Sequence, residues 1–477
     1  MWPFKRKAPA GARIRLMRAK FDSAQTTYEN RNHWLQADNL SAGASVSPGV
    51  RQILRSRARY EVANNSYARG IVLTLANDVI GTGPRLQMLT KSAAANSIIE
   101  AEFLAWSVAV DLAGKLRTMR MARAQDGEAF AILSTNDRLP TPVKLDLRLV
   151  EADQVALPSI LPTNLNDQPN DGIEFDEQGN PISYQLLVTH PGDPVADMST
   201  SLTIPAASML HWFRADRAGQ TRGAPDITPA LPLFAQLRRY TLAVLESAET
   251  VANMSVIMKT PAPAGGAAAE VDPTVEMELS RNSALFMPEG WEPYQIKAEQ
   301  PTTTYAMFKS EILNEVARCL NMPYNIAAGN SASYNYASGR LDHQMYFKSI
   351  RVDQAHCEAV VLDRILSAWL YEAQRVLSEL PTIEQTGHQW FWEGREHVDP
   401  AKEATAQATR LSSNTTTLAV EYARQGRDWE TELRQRAKEA KLLKRLGLTP
   451  AQAAPAVPVA PQPDEDEDDE QSTPEEE

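Results

Sequence analysis

Asp353, His356 and Cys357 lie within five positions and are the grouping in this 477-residue chain best suited to metal chemistry. On one helix they share a face, with His343 further along it. Carboxylate, imidazole and thiolate all bind zinc, but such a site also needs a converging fourth ligand and outer partners that orient the imidazoles. The spacing supplies neither, so these side chains are expected to be satisfied on a packed helix, with no metal and no cofactor. Cys319, between Val316 and Leu320, reads as a core thiol. Two cysteines in the whole chain argue against a disulfide framework and for a reducing compartment.

Other reactive patterns fail on their spacing. Gly114-Lys115 is followed by Leu116, and no glycine stands where a phosphate-binding loop needs its first one. Gly81-Thr82-Gly83 has Leu86 where a dinucleotide fingerprint needs its third glycine. No serine occupies a nucleophile elbow. Asn64-Asn65-Ser66 and Asn414-Thr415-Thr416 match glycosylation sequons, which carry meaning only in a secreted chain. The chain therefore reads as a non-enzyme.

Charge is unevenly distributed. The net charge is −12, and residues 464–477 hold ten acids (Asp464–Glu470 and Glu475–Glu477) with no Lys or Arg. Without those ten the remainder stands at −2. Residues 1–20 carry Lys5, Arg6, Lys7, Arg13, Arg15, Arg18 and Lys20 and no acid. A near-neutral body lacks the clustered cations of a tight DNA binder. The Arg55, Arg57, Arg59 group on the first helix reads as a solvated face. Apolar stretches such as Ile71–Ala76 are too short to cross a bilayer, and the arginines around Ile14, Leu16 and Met17 rule out a signal peptide.

The elements follow from periodicity. Helix is expected from Pro48 to about Val79, broken at Asn64-Asn65-Ser66 with Ser66 as the second cap and closed at Gly81. A further helix is expected over Ile98–Ala113. From Arg120 to Phe213 the pattern turns to strands: Ala129–Ser134, Lys144–Val150, Tyr184–Thr189 and Met209–Phe213, separated by turn clusters at Asp176–Pro181 and His190–Pro194. A long helix runs from about Asp226 to Met254, with Phe234, Leu237, Leu245, Ala248 and Val251 at helical spacing. A Pro/Gly/Ala linker (260–269) and a short β-like segment near Ala284–Met287 follow. Helix resumes over Tyr305–Leu320 and again over Arg340–Leu380, where Val361, Ile365, Trp369, Ala373 and Leu377 share one face. After Pro400 the chain is helical to Leu446, punctuated by Gly426 and restarted by Asp428 as a cap. Residues 449–477 have the composition of a disordered tail. The fold class is mixed α+β.

Blocks spread over roughly residues 50–448 resemble the lambda-type bacteriophage portal family. They are Arg59–Arg69 (RYEVANNSYAR) with Asn77–Gly83 (NDVIGTG), Gly127–Ala131 (GEAFA), and Gly172–Asp176 (GIEFD) with the later His190-Pro191. His211-Trp212-Phe213 is followed by Arg217–Pro225 (RAGQTRGAP). Then come Asn321–Tyr324 (NMPY), and Asn335, Tyr336, Ser338 and Arg340 of an Asn-Tyr-Ser-Ser-Ala-Arg-like element. Val398–Ala404 (VDPAKEA) leads to a helix ending at Leu446-Gly447-Leu448. Ala337 and Gly339 depart from that Asn-Tyr element, and neither the basic arm nor the acidic tail carries the match.

The resemblance implies a phage portal fold with wing, long-helix stem, clip and helical crown. Residues 1–45 would be a basic arm, 46–225 wing and 226–254 the stem helix. Residues 255–295 would be clip, 296–399 a channel loop, channel helix and return to the wing, 400–448 crown and 449–477 tail. It further implies a homo-oligomeric ring, typically a dodecamer, at one capsid vertex of the virion and assembled in the host cytoplasm. Double-stranded DNA would pass through it during packaging and ejection. The implied partners are the terminase large subunit, the major capsid and scaffold proteins and a head-completion (connector) protein, with no membrane. Lys297, Thr302, Thr303 and Thr304 are the expected DNA-facing channel loop. Two other classes stay open: a monomeric or dimeric nucleic-acid-binding or scaffold protein sharing the fold, and a hydrolase built on the β segment.

Overall fold

The computed structural model describes residues 28–157, 171–195, 199–253, 257–259, 292–294, 304–332, 334–378, 380, 387–394 and 400–448. A short helix α1 (Ala42–Ser45) precedes α2 (Pro48–Asn64) and α3 (Ser66–Ile80), which meet at Asn65. Pro48 starts α2, where a missing N–H is no loss. The break falls where the sequence places it, but the cap is one residue earlier. The Asn65 side chain accepts from the backbone N–H of Tyr67 and Ala68 at 3.0 and 3.3 Å, and Ser66 is already helical. The Asn65 amide also donates to the Phe234 carbonyl at 3.3 Å, a tertiary contact open to an asparagine amide and not to a serine hydroxyl at the next position.

After Gly81 come β1 (Arg85–Met88), α4 (Ala93–Ala109) and α5 (Leu112–Asp126). Two features here differ from the sequence pattern. The expected helix over Ile98–Ala113 runs through a 62° bend, and Arg120 opens no strand region because it lies inside α5. Asp111 makes the bend: it holds φ 50° and its carboxylate caps α5 by accepting from Gly114 N–H at 3.2 Å. Among the described residues no single helix is long and apolar enough to cross a membrane.

The strands form two antiparallel three-stranded sheets. β2 (Glu128–Thr135) is central between β3 (Leu145–Val150) and β7 (Met209–Phe213); β5 (Pro181–Leu187) is central between β4 (Ile173–Phe175) and β6 (Ser201–Pro205). Phe130 pairs with both Val150 and His211, and Glu128 pairs with Phe213. All four expected strands overlap observed ones; β4 and β6 are additional. Phe130, Ile132, Tyr184, Leu186 and Met209 pack between the sheets as a small core.

The helix α6 (Leu231–Asn253) begins after a 3-10 turn at Thr228–Ala230, five residues later than expected. Its buried positions include Leu231, Phe234, Leu237 and Val244, while Leu245, expected on that face, is exposed. The 7-residue step from Leu237 to Val244 keeps Val244 on the buried side, and Leu245 is turned about 100° from it. A two-stranded pair, β8 (Ile257–Lys259) with β9 (Glu292–Tyr294), follows; the linker 260–269 and the segment Ala284–Met287 lie outside the described residues. Next come α7 (Thr304–Arg318), α8 (Tyr324–Ala328), α9 (Tyr336–Cys357) and α10 (Asp363–Val376). A π-helical turn at Glu358–Leu362 joins α9 and α10, so the expected long helix is continuous to Val376 but underwound at its middle, where one extra residue widens the turn. Val361, Ile365, Trp369 and Ala373 are buried as expected. Trp369 meets Phe103 edge-on at 5.4 Å, and Trp106 donates to the Leu145 carbonyl at 2.7 Å, which ties α4, α10 and β3 into the main core. β10 (His388–Phe391) pairs with β1. The chain then runs through α11 (Pro400–Ser412), α12 (Leu418–Arg424) and α13 (Trp429–Arg445), the last capped by Asp428 as expected.

Candidate functional site

A dense cluster of buried charges is assembled at the start of β2. Gly127 ends α5 with φ 90°, a conformation that favours glycine. A Cβ there would lie 2.5 Å from the Ala224 carbonyl carbon, and a Cβ on Gly223 would collide with the Gly127 carbonyl oxygen. Two glycines thus let the 222–224 backbone lie directly on 127–128. That contact brings Arg222 onto Glu128, whose carboxylate is fully buried. Arg222 donates through Nη2 to Oε1 at 2.7 Å and through Nε to Oε2 at 2.9 Å. Arg55 donates to the same Oε1, His211 Nε2 lies 3.0 Å from Oε2, and Gly223 N–H donates to Oε2 at 3.2 Å. His211 is itself stacked between Phe130 and Phe213, at 4.3 and 4.5 Å.

Burial by itself would raise the pKa of Glu128. The Arg222 guanidinium, the His211 hydrogen bond and Arg55 outweigh it and hold the carboxyl well below its ordinary range. Burial lowers that of His211 despite the neighbouring carboxylate. Arg55 also donates to Asp153 at 2.9 Å and to the Asp126 carbonyl at 2.9 Å, while Arg59 pairs with Asp126 at 2.6 Å and with Asp153 at 2.7 Å. Arg55 and Arg59 are therefore structural ion-pair residues. Of the three arginines read as a solvated face, only Arg57 is exposed.

A second cluster lies one turn earlier on α5. Arg120 bridges Asp226 at 3.0 Å and Asp353 at 2.9 Å, and Arg123 reaches Asp353 at 2.8 Å with its guanidinium over the Trp212 ring at 5.3 Å. Asp353 is thereby drawn away from His356, whose Nδ1 accepts from Trp212 Nε1 at 3.3 Å. Burial would raise the pKa of Asp353, but Arg120 and Arg123 overcome it and lower it. Burial pushes the Cys357 thiol up strongly and raises that of Cys319 to about 11. His343 meets the Asn325 amide at 3.0 Å, away from the other three.

Among the described residues one trio of metal-capable side chains converges: Glu151, Asp153 and His190. Its geometry does not suit a metal. His190 Nδ1 accepts from Gly192 N–H at 3.0 Å, so the neutral ring carries its proton on Nε2, which lies 3.2 Å from Glu151 Oε2 without a hydrogen bond to it. Metal binding at Nε2 would move that proton to Nδ1, where an N–H already points, and Asp153 is committed to Arg55 and Arg59.

Of the expected channel loop, Lys297, Thr302 and Thr303 lie outside the described residues, and Thr304 is the first residue of α7. Asn335 precedes α9 and its carbonyl accepts from Gly339 N–H at 3.0 Å. Tyr336 and Ser338 are in the first turn, and Arg340 is exposed. The glycine at 339 therefore does not break the helix.

Sequence reasoning from residue chemistry misses Glu128, His211, Arg222 and Asp226. Three of them lie within the quoted blocks GEAFA, HWF and RAGQTRGAP, and Asp226 immediately follows the third. Blocks separated by up to about ninety positions meet at one carboxylate. A model described as the lambda family of phage portal proteins matches residues 28–354, well over half of the chain. The chain belongs to that family.

It is accordingly a phage portal subunit serving DNA packaging. A curated relative, the probable portal protein of Halomonas phage phiHAP-1, is 26% identical over 472 residues, covering 90% of this chain and 87% of the relative. Among solved structures, a chain from the virion of a native gene transfer agent particle aligns with a TM-score of 0.43 at 12% identity, covering 78% of this chain and 92% of that one. A HK97-family phage portal protein from Corynebacterium diphtheriae aligns with a TM-score of 0.28 at 12% identity, covering 68% and 96%.

Proposed function

We propose that about twelve copies of this portal subunit close into a ring that forms the DNA conduit at one capsid vertex of the virion, assembled in the host cytoplasm. A closed ring needs heterologous contacts, with one face of each subunit meeting a different face of the next. The observation that carries the reading is a pair of distinct apolar helical stripes, both exposed in the single chain. On α9, Leu341, Met345 and Val352 are 66%, 62% and 63% exposed, with Arg340, Lys348 and Arg351 exposed beside them. On α4, Ala101, Leu104, Ala105 and Val108 form an exposed apolar stripe, on a helix whose only charged residues are Glu100 and Glu102. An exposed apolar stripe with a cationic rim and another with an acidic rim match as the two halves of a heterologous contact.

In this reading 46–225 is wing, 226–254 stem, 255–295 clip, 296–399 channel loop, channel helix and return to the wing, and 400–448 crown. Residues 1–45 are a basic arm and 449–477 an acidic tail. The ring performs no chemistry. The terminase large subunit docks on the clip and supplies packaging energy, while major capsid, scaffold and head-completion proteins contact the outer surface. Duplex DNA slides past Lys297, Thr302, Thr303 and Thr304. A body near neutrality suits sliding, because each phosphate neutralised by a fixed cation adds counterion-release free energy and would hold the duplex. Negative-stain microscopy with native mass measurement tests the ring directly. Rings of about twelve subunits with a hole of duplex width are expected; a chain that stays monomeric or dimeric even with its capsid and scaffold partners would favour a binding module instead.

A further inference from the structure

The helix α13 carries a feature that ring closure does not use. Arg434, Lys438, Lys441 and Arg445 follow one another at steps of four, three and four, which places them on one side of the helix. All four are exposed, and α13 buries no residue. Arg434 has a partner in Glu430 at 3.0 Å. No ion pair is found for Lys438, Lys441 or Arg445 among the described residues, and the only acid between Arg434 and Arg445 is Glu439. Cations near the end of a helix complement its dipole, but Arg434 and Lys438 lie well before the last turn, where that reason does not reach. Like charges at these spacings repel, so the stripe is stabilised by any polyanion laid along it.

The nearest polyanion is in the same chain. Residues 449–463 join the end of the described chain to Asp464–Glu470 and Glu475–Glu477. Fifteen residues are enough to reach along the stripe: a coil of that length averages on the order of 20 Å end to end, and the stripe is about 16 Å long at helical rise. We infer that the acidic tail is the resident occupant of the Arg434–Arg445 stripe, masking a surface that would otherwise hold nucleic acid. The inference goes beyond the portal reading and rests on it for its consequence, but its test is separate: ring closure is read on α4 and α9, masking on α13 and residues 464–477, although Arg434 shares a cleft with Ala101 and Leu104 of α4. Its consequence is that the cationic helix closest to the tail adds no friction to passing DNA.

Zero-length carbodiimide cross-linking of the full chain tests the placement, because it joins a carboxylate to a lysine amine only in direct contact. Mere tethering favours Lys444, the lysine closest in sequence to the tail, which stands off the stripe. Occupancy of the stripe favours Lys438 and Lys441. The expected result is tail cross-links concentrated on Lys438 and Lys441 in low salt and lost in about 0.5 M salt, where screening is nearly complete. Cross-links led by Lys444, spread over lysines elsewhere or absent would overturn the inference. Duplex binding supplies a second readout. A chain ending at residue 463 should bind a short duplex roughly tenfold more tightly than the full chain in low salt. That gain should vanish when Arg434, Lys438, Lys441 and Arg445 are all changed to Gln. A gain that survives those four changes would show the tail acting as a general repulsive charge and would sink the masking.

Discussion

Gly127 and Gly223 lie back to back beneath β2, so close that a methyl group on Gly223 would collide with the Gly127 carbonyl oxygen. The obstacle is backbone, which cannot swing aside as a side chain can. This contact sets the reach of Arg222 to Glu128, and through it the seating of the 217–225 loop on the sheet.

Gly223→Ala is therefore expected to destabilise the subunit by about 2–3 kcal/mol, in the range of overpacking a tight interior. Urea denaturation at neutral pH measures it. A loss under about half a kilocalorie per mole would mean that the loop can lift without disturbing Glu128.

Glu128→Gln keeps the shape but removes the fully buried charge that Arg222 and Arg55 share, leaving Arg55 only Asp153 at 2.9 Å and Arg222 only Asp171 at 3.5 Å. The expected loss is about 3–5 kcal/mol at pH 7. Its pH dependence distinguishes it from a packing defect. The folded-state pKa of Glu128 is depressed far below the ordinary 4.5. Its contribution is thus complete above that value and drains away as pH falls below it toward the folded pKa. Asp153 and Asp353 are also depressed, but wild type and variant share them. The stability gap between the two proteins should be constant from pH 7 to 5 and narrow below about 4.5; a gap unchanged down to pH 3 would place the depression elsewhere.

The arginines explain which parts of the molecule were legible from sequence. The α2–α3 break, the strands around β2 and β7 and the buried face of α10 are local patterns, and each falls close to where periodicity puts it. The helix α5 escapes because its buried face, Leu112, Leu116, Met119, Arg120, Arg123 and Ala124, mixes apolar residues with arginines. Those arginines are buried because Asp226 and Asp353 meet them from far along the chain. Arg55 reads as solvated for the same reason, since its counter-charge Glu128 stands 73 positions away. A buried ion pair leaves no periodic trace at either end. The resemblance blocks did contain three members of the Glu128 cluster, but without the topology nothing linked them.

The two cysteines give a chemical check on packing. Burial raises Cys319 to about 11 and pushes Cys357 higher, so both remain thiols at pH 8. Neither should react appreciably with a disulfide reagent on a minutes timescale in the folded protein. In denaturant both should react at the rate of a model thiol. Fast modification of one equivalent in the native state would expose Cys319 far more than its half-buried position allows.

Met345 isolates the ring contact from the fold. It stands mid-stripe on α9, 62% exposed, and its neighbour Tyr346, about 100° round the helix, is buried and donates from its hydroxyl to Asp78 at 2.6 Å. Met345→Glu therefore leaves the intrachain packing of α9 untouched and places a charge where an apolar neighbour is expected. If α9 lies against α4 of the next copy, that charge is desolvated beside Glu102 with only Lys348, one turn along α9, to answer it, a net cost repeated at every contact of the ring. The variant should sediment as a monomer with an unchanged thermal transition of the isolated subunit. Adding Leu104→Lys on α4 should partly restore rings by supplying the missing cation. Rings formed equally well by Met345→Glu would move the contact off α9 while leaving ring closure itself intact.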